Sequence, residues 1–182
     1  MQKAVEILQN SGVILTPTDT TFGLSCLAFD TIAVDKINQI KLRPNNKTYI
    51  LLVENEGQLQ RYVEVRVLAW DLMDLSEKPI SIIYDRILDL PAHLISPDQT
   101  IAIRVVSHPL LQKIIQKVKQ PLISTSANIA GTPAPKSFGE ISNEILNQVD
   151  YIIPESRDFK ILYESSSLIQ IGHDHKIKVI RA

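Results

Sequence analysis

The chain has 182 residues, 45% hydrophobic and 21% charged, which is the balance of one folded domain and excludes a disordered chain. Lys and Arg number 19 and Asp and Glu 20, so the formal net charge is -1 and any site for a polyanion must be local rather than a matter of bulk charge. A single cysteine, Cys26, excludes an internal disulfide and a cysteine-rich zinc site. No apolar run approaches the ~20 residues of a membrane span, and the opening MQKAVEILQN lacks a signal-peptide pattern. The expectation is one cytoplasmic domain over residues 1–182. Aromatic residues are only 5%, which argues against an extended base-stacking surface.

Ala4, Val5, Ile7 and Leu8 fall at helical spacing, and Ser11-Gly12 stops that helix with Gly12 as its cap. Val13 to Leu15 reads as a short buried strand halted by Pro17. Thr31 to Ile40 carries a helical face capped by Thr31 or Asp30. Tyr49 to Val53 is an apolar run, read as a buried strand. A helix is expected over Leu59–Leu75, a strand over Pro79–Tyr84 and a loop over Leu88–Gln99. A strand follows at Thr100–Val106, then an amphipathic helix at Pro109–Val118 with proline in its first turn. Pro121–Ser124 reads as a short strand running into a loop at Ser124–Ser137. A helix at Gly139–Val149 and strands at Tyr151–Ile153, Ser167–Ile171 and Lys176–Arg181 complete the chain. Helices and strands alternate, so the expected class is α/β, with layers around one sheet.

Three segments carry candidate chemistry. Thr16-Pro17-Thr18-Asp19-Thr20-Thr21-Phe22-Gly23 follows a buried strand. It is either a Thr/Asp turn or a ligand loop at a strand end. Lys41-Leu42-Arg43-Pro44-Asn45-Asn46-Lys47 gathers three cations in seven residues. The helix dipole accounts for Lys41 alone, whereas a loop that clamps phosphate or carboxylate uses all three. Ser124 to Pro133 (STSANIAGTP) sets hydroxyls and an amide after a strand, as either an ordinary turn or an anion-binding loop. Arg104 lies in an apolar strand, so it either pairs internally or faces a ligand. Cys26 reads as a buried structural thiol, and His173-Asp174-His175 as a hairpin turn rather than a metal site. His93 and His108, beside prolines, carry no assigned role. Neither GxGxxG nor GxxxxGK[ST] is present.

Taken in order, PTDT at 17–20, the K-x-R of Lys41 and Arg43 with Lys47 after it, and the S-x-N of Ser126 and Asn128 resemble the YrdC-like family of threonylcarbamoyl-AMP synthases. The resemblance is specific over 11–53 and 100–137 and weaker to the end. It implies a single α/β domain, a twisted mixed sheet flanked by helices around a concave basic groove. It implies L-threonine, bicarbonate and ATP as substrates, with threonylcarbamoyl-AMP and pyrophosphate as products, for the t6A modification of tRNA. The catalytic set it implies is Lys41, Arg43, Ser126 and Asn128. Thr18, Thr20, Thr21 and Arg43 would take threonine, with Arg43 on the carboxylate. Lys41, Lys47, Arg104, Ser124, Ser126, Asn128, Ser166 and Arg181 would take the nucleotide and its phosphates. Mg²⁺ would be held by phosphates and water, with no protein side chain as ligand. Further partners implied are tRNA or double-stranded RNA and the downstream proteins that transfer the threonylcarbamoyl group. The chain departs from the family pattern at Phe22, Thr48 and Ser165 to Gln170. The chief alternative is a non-catalytic double-stranded RNA- or tRNA-binding module of the same fold. An enzyme acting on another acyl or carbamoyl substrate and an inactive subunit are two others.

Overall fold

The computed structural model describes residues 1–42, 49–161, 163, 165–172 and 176–182. Its helices are α1 (Gln2–Gln9), α2 (Thr31–Lys41), α3 (Glu56–Tyr62), α4 (Val67–Leu75), α5 (Pro109–Val118) and α6 (Asn143–Leu146). Its strands are β1 (Ile14–Pro17), β2 (Phe22–Leu27), β3 (Ile50–Val53), β4 (Ile80–Tyr84), β5 (Ile101–Val105), β6 (Leu122–Ser126), β7 (Tyr151–Ile152), β8 (Ser167–Ile171) and β9 (Ile177–Arg181). The strands form one mixed sheet in the order β7-β1-β2-β6-β3-β5-β4-β8-β9.

Side chains alternate across a strand, so register decides which residues share a face. On one face Leu15, Leu24, Cys26, Leu51, Val53 and Ile123 meet α2, α3 and α6 in the larger core. On the other, Ile14, Leu27, Leu52 and Leu122 meet Ala4, Val5 and Leu8 of α1 and Leu111, Ile114, Ile115 and Val118 of α5. Following the pairings across that second face gives a polar remainder. Thr16 is opposite Gly23, Gly23 opposite Ser126, Ser25 opposite Ser124, and Leu52 opposite Arg104. Further along, Ser81 is opposite Leu168 and Leu168 opposite Arg181. The uncovered part of this face is therefore small, hydroxyl-rich and basic.

The structure revises several sequence expectations. β2 was not expected as a strand. Its sequence FGLSCL lacks polar alternation because all six residues are buried between β1 and β6. The helix expected over Leu59–Leu75 is two, α3 and α4. Between them the Glu64 amide donates to Arg86 O (2.9 Å), the Leu88 amide donates to Tyr62 O (2.8 Å), and Val63 bridges Ile87. The helix expected over Gly139–Val149 is a 3₁₀ turn at Phe138–Glu140 and the short α6, restarted by Ser142, whose side chain accepts from the Ile145 amide. β6 runs two residues past Ser124 because Gly23 offers Ser126 a partner. Asp30, not Thr31, caps α2, accepting from the Ala33 amide at 3.1 Å.

Gly12 has a different role from the one expected. Asn10 caps α1 and Ser11 takes the positive φ of 56°, while a Cβ on Gly12 would lie 2.4 Å from Ile7 Cγ2. Gly12 is required by close approach, not by backbone angle.

Candidate functional site

The β1–β2 hairpin turns through Thr18, Asp19, Thr20 and Thr21, closed by the Thr18 amide donating to Thr21 O at 3.1 Å. The Thr18 hydroxyl braces the same turn. It donates to Thr21 O (2.7 Å), accepts from the Thr20 amide (3.1 Å) and lies 3.0 Å from the Thr20 hydroxyl. Thr21 donates to Pro135 O at 3.3 Å. The turn reading of this segment holds, and the braced turn also forms a wall of a cavity.

That cavity, of about 370 Å³, opens over the polar part of the second sheet face. Thr18, Thr20 and Thr21 line it together with Gly23, Ser124 and Ser126 of the sheet and with Arg104, Ser166 and Arg181. Gly23 has no room for a side chain, since a Cβ there would lie 2.5 Å from Ser124 Oγ and 3.0 Å from Thr18 Cγ2.

Arg104 pairs internally and also stands at the cavity. It is 5% exposed, pairs with Asp19 at 2.9 Å, reaches Thr20 Oγ1 at 3.5 Å, and lines the cavity. Burial lowers its pKa from the ordinary value, Asp19 opposes that, and the charge of Arg181 adds to it. Guanidinium still stays protonated, so two arginines converge on one recess. Among the described residues the Nε of Arg104 is buried and has no hydrogen-bond partner. Arg181 donates from Nε to Ser166 O (2.9 Å) and from Nη2 to Ser166 Oγ (3.2 Å), and Ser166 in turn meets Ser81 at 2.8 Å. Ser166 therefore holds the last arginine in place.

Lys41 and Asn128 are placed otherwise than the sequence suggests. Lys41, 4% exposed, ends α2, and its ammonium donates to Ser126 O, to Asn128 O (2.6 Å) and to Asn128 Oδ1 (3.3 Å). Asn128 Nδ2 donates to Ile129 O (3.2 Å) and Thr132 O (2.5 Å), while its Oδ1 accepts from the Ser126 hydroxyl. Among the described residues it is Ser126, not Lys41 or Asn128, that lines the cavity. Arg43, Lys47 and His173 to His175 lie outside the described residues.

Asp19, Tyr49 and Ser165 also belong to the site and were missed. For Asp19 a signal existed, since Arg104 sits in an apolar strand and a buried guanidinium needs an acidic partner. A second recess, of about 620 Å³, lies across the Thr18–Asp19 backbone. His108 lines it, with a pKa lowered by burial and raised in part by Asp19 and Glu155. Among the described residues no group of His, Cys, Asp and Glu could hold a metal ion, and no helix is long and apolar enough to cross a membrane.

A scan of family models matches residues 6–182 to Sua5/YciO/YrdC, described as telomere recombination. The threonylcarbamoyl-AMP synthase of Pseudoalteromonas translucida is 32% identical over 156 residues, covering 84% of this chain and 83% of that protein. The crystal structure of E. coli YciO superposes with a TM-score of 0.84 at 27% identity, covering 98% of this chain and 86% of that one. P. abyssi Sua5, crystallised with L-threonine, gives a TM-score of 0.81 at 22% identity over 93% of this chain and 50% of its own, a likeness of fold. With its α/β sheet, its hydroxyl-lined hairpin and its paired arginines, this chain belongs to the Sua5/YciO/YrdC family.

Proposed function

We propose that the protein is a threonylcarbamoyl-AMP synthase. It condenses L-threonine with bicarbonate and transfers AMP from ATP to the resulting carbamate. The observation that carries this reading is the single cavity in which Thr18, Thr20 and Thr21 face Arg104 and Arg181. Small hydroxyls suit the ammonium and hydroxyl of an amino acid, and two guanidiniums suit an anionic chain. The synthase name of the bacterial relative supports the same substrates.

The chemistry balances without a covalent enzyme intermediate. The threonine amine forms a C–N bond with bicarbonate and water leaves. A carbamate oxygen then bonds the α-phosphorus, the bond to the β-phosphate oxygen breaks, and pyrophosphate departs. The chain supplies position and charge. Arg104 and Arg181 neutralise phosphate oxygens, and Arg181 fixes the Ser166 hydroxyl beside them. Arg43, next but one after the end of α2, takes the threonine carboxylate, and Lys47 adds charge to the phosphate end. Mg²⁺ arrives with ATP, held by phosphate oxygens and water. The product serves t6A formation on tRNA in the cytoplasm, through downstream proteins that transfer the threonylcarbamoyl group.

The test is pyrophosphate release from Mg-ATP by the purified protein, with L-threonine and bicarbonate each omitted in turn. Release that needs both is the expected outcome. Release that ignores threonine removes the substrate assignment. No release, together with salt-sensitive binding of double-stranded RNA, replaces the enzyme with a binding module.

A further inference from the structure

An ammonium group has three N–H donors and accepts nothing. Lys41 aims its ammonium at three oxygens of one loop: Ser126 O, Asn128 O and Asn128 Oδ1. The loop answers at the backbone, with the Ala130 amide donating to Lys41 O at 2.9 Å. The end of α2 and the segment after β6 are thus tied in both directions. The Asn128 amide has one orientation consistent with its neighbours. Its Nδ2 faces the carbonyls of Ile129 and Thr132, and its Oδ1 faces the Lys41 ammonium and the Ser126 hydroxyl. A Ser126 proton given to Oδ1 leaves the Ser126 oxygen with its lone pairs, and Ser126 lines the cavity.

We propose that Lys41 is a positioning residue that, through Asn128, turns Ser126 into a hydrogen-bond acceptor aimed into the cavity. This rests on the synthase reading for the identity of the ligand, though not for the brace itself. An acceptor takes an N–H or O–H, so Ser126 meets the threonine nitrogen or a hydroxyl rather than a phosphate oxygen. The cation does its work one residue back from the ligand. It polarises the Asn128 carbonyl oxygen, and its removal leaves Asn128 held through Nδ2 alone, which loosens the loop and lets Ser126 turn its proton outward.

Two measurements on Lys41→Ala, Asn128→Ala and the double variant test this. The first is hydrogen exchange of the segment 124–132, whose Asn128 and Thr132 amides bond within the segment and whose Ala130 amide bonds Lys41 O. The brace predicts several-fold faster exchange there in each variant, with α5 unchanged. The second is kcat/KM for pyrophosphate release. Each single change is expected to cost on the order of 10²-fold, the scale of a misplaced site, and the double change no more than either. Exchange at 124–132 that stays at the wild-type rate in Lys41→Ala overturns the proposal. So does a double variant whose loss is the product of the singles, with ATP KM alone raised by Lys41→Ala, since that is the pattern of a direct phosphate contact. If the wild-type protein releases no pyrophosphate, the synthase reading fails while the exchange data still decide the brace.

Discussion

Asp19 and Arg104 neutralise each other at the cavity wall, with side chains 5% and 6% exposed. Such a pair is costly to halve, because a lone buried charge loses its water without gaining a partner. Asp19→Asn is expected to lower stability by about 3 kcal/mol in urea titration, with part of that restored in Asp19→Asn/Arg104→Met, which removes the orphaned charge. The double variant is expected to stay inactive, since Arg104 also lines the cavity. Cys26 illustrates the opposite case, a group made inert. It is fully buried, and burial raises the pKa of its thiol well above the ordinary value, with the Asp30 charge adding to the shift. A thiol reagent is expected to leave Cys26 unmodified in the folded protein and to label it fully once urea unfolds the chain. Gly23→Ala would press a methyl against Ser124 Oγ and Thr18 Cγ2, so its expected signature is a larger loss of turnover than of thermal stability.

The elements that frame the cavity were legible in proportion to how local their signals are. α2 and α5 announce themselves by an apolar stripe and a cap or proline at the start. β2 does not, because its meaning comes from β1 and β6 on either side, a non-local fact that six apolar and small residues do not reveal. The α3–α4 break is of the same kind, made by backbone bonds from residues 86–88. Among the site residues, Thr18, Thr20, Thr21, Arg104, Ser124, Ser126, Ser166 and Arg181 line the cavity as the motifs suggested. The inward use of Lys41 and Asn128 depends on a helix end meeting a loop 85 residues away, which spacing cannot show. One such long-range tie is open to titration. Burial tends to raise the Asp150 pKa, yet bonds from Lys36 and the Val13 amide, with the Lys36 charge, hold it below its ordinary 3.8. A carboxylate depressed in the folded state stabilises above its unfolded pKa and loses that contribution as pH falls through the folded one. Asp150→Asn should therefore cost about 1 kcal/mol at neutral pH, given the pair's partial exposure, and the difference from wild type should shrink as pH falls below the ordinary 3.8 and through the lower folded value.

At the scale of the whole molecule, α1 and α5 cover the apolar end of the second sheet face and leave its polar end open as the cavity. Binding that favours only the folded state adds about 2.7 kcal/mol at 100 times Kd. For a chain of this size that raises the melting temperature by roughly 5–11 °C. Thermal shift with Mg-ATP and threonine together should reach that range and should collapse in Arg104→Met. The sheet ends at β9, exposed along its whole length and bonded on one side only, to β8. Yet this outermost strand delivers Arg181 to the cavity. Strand ends of this kind unzip at little free-energy cost while the core stays intact. Occupancy and fraying are then two readings of one equilibrium. Each time the last strand peels away the cavity loses a cation, so a ligand held by Arg181 would close the rim of the sheet.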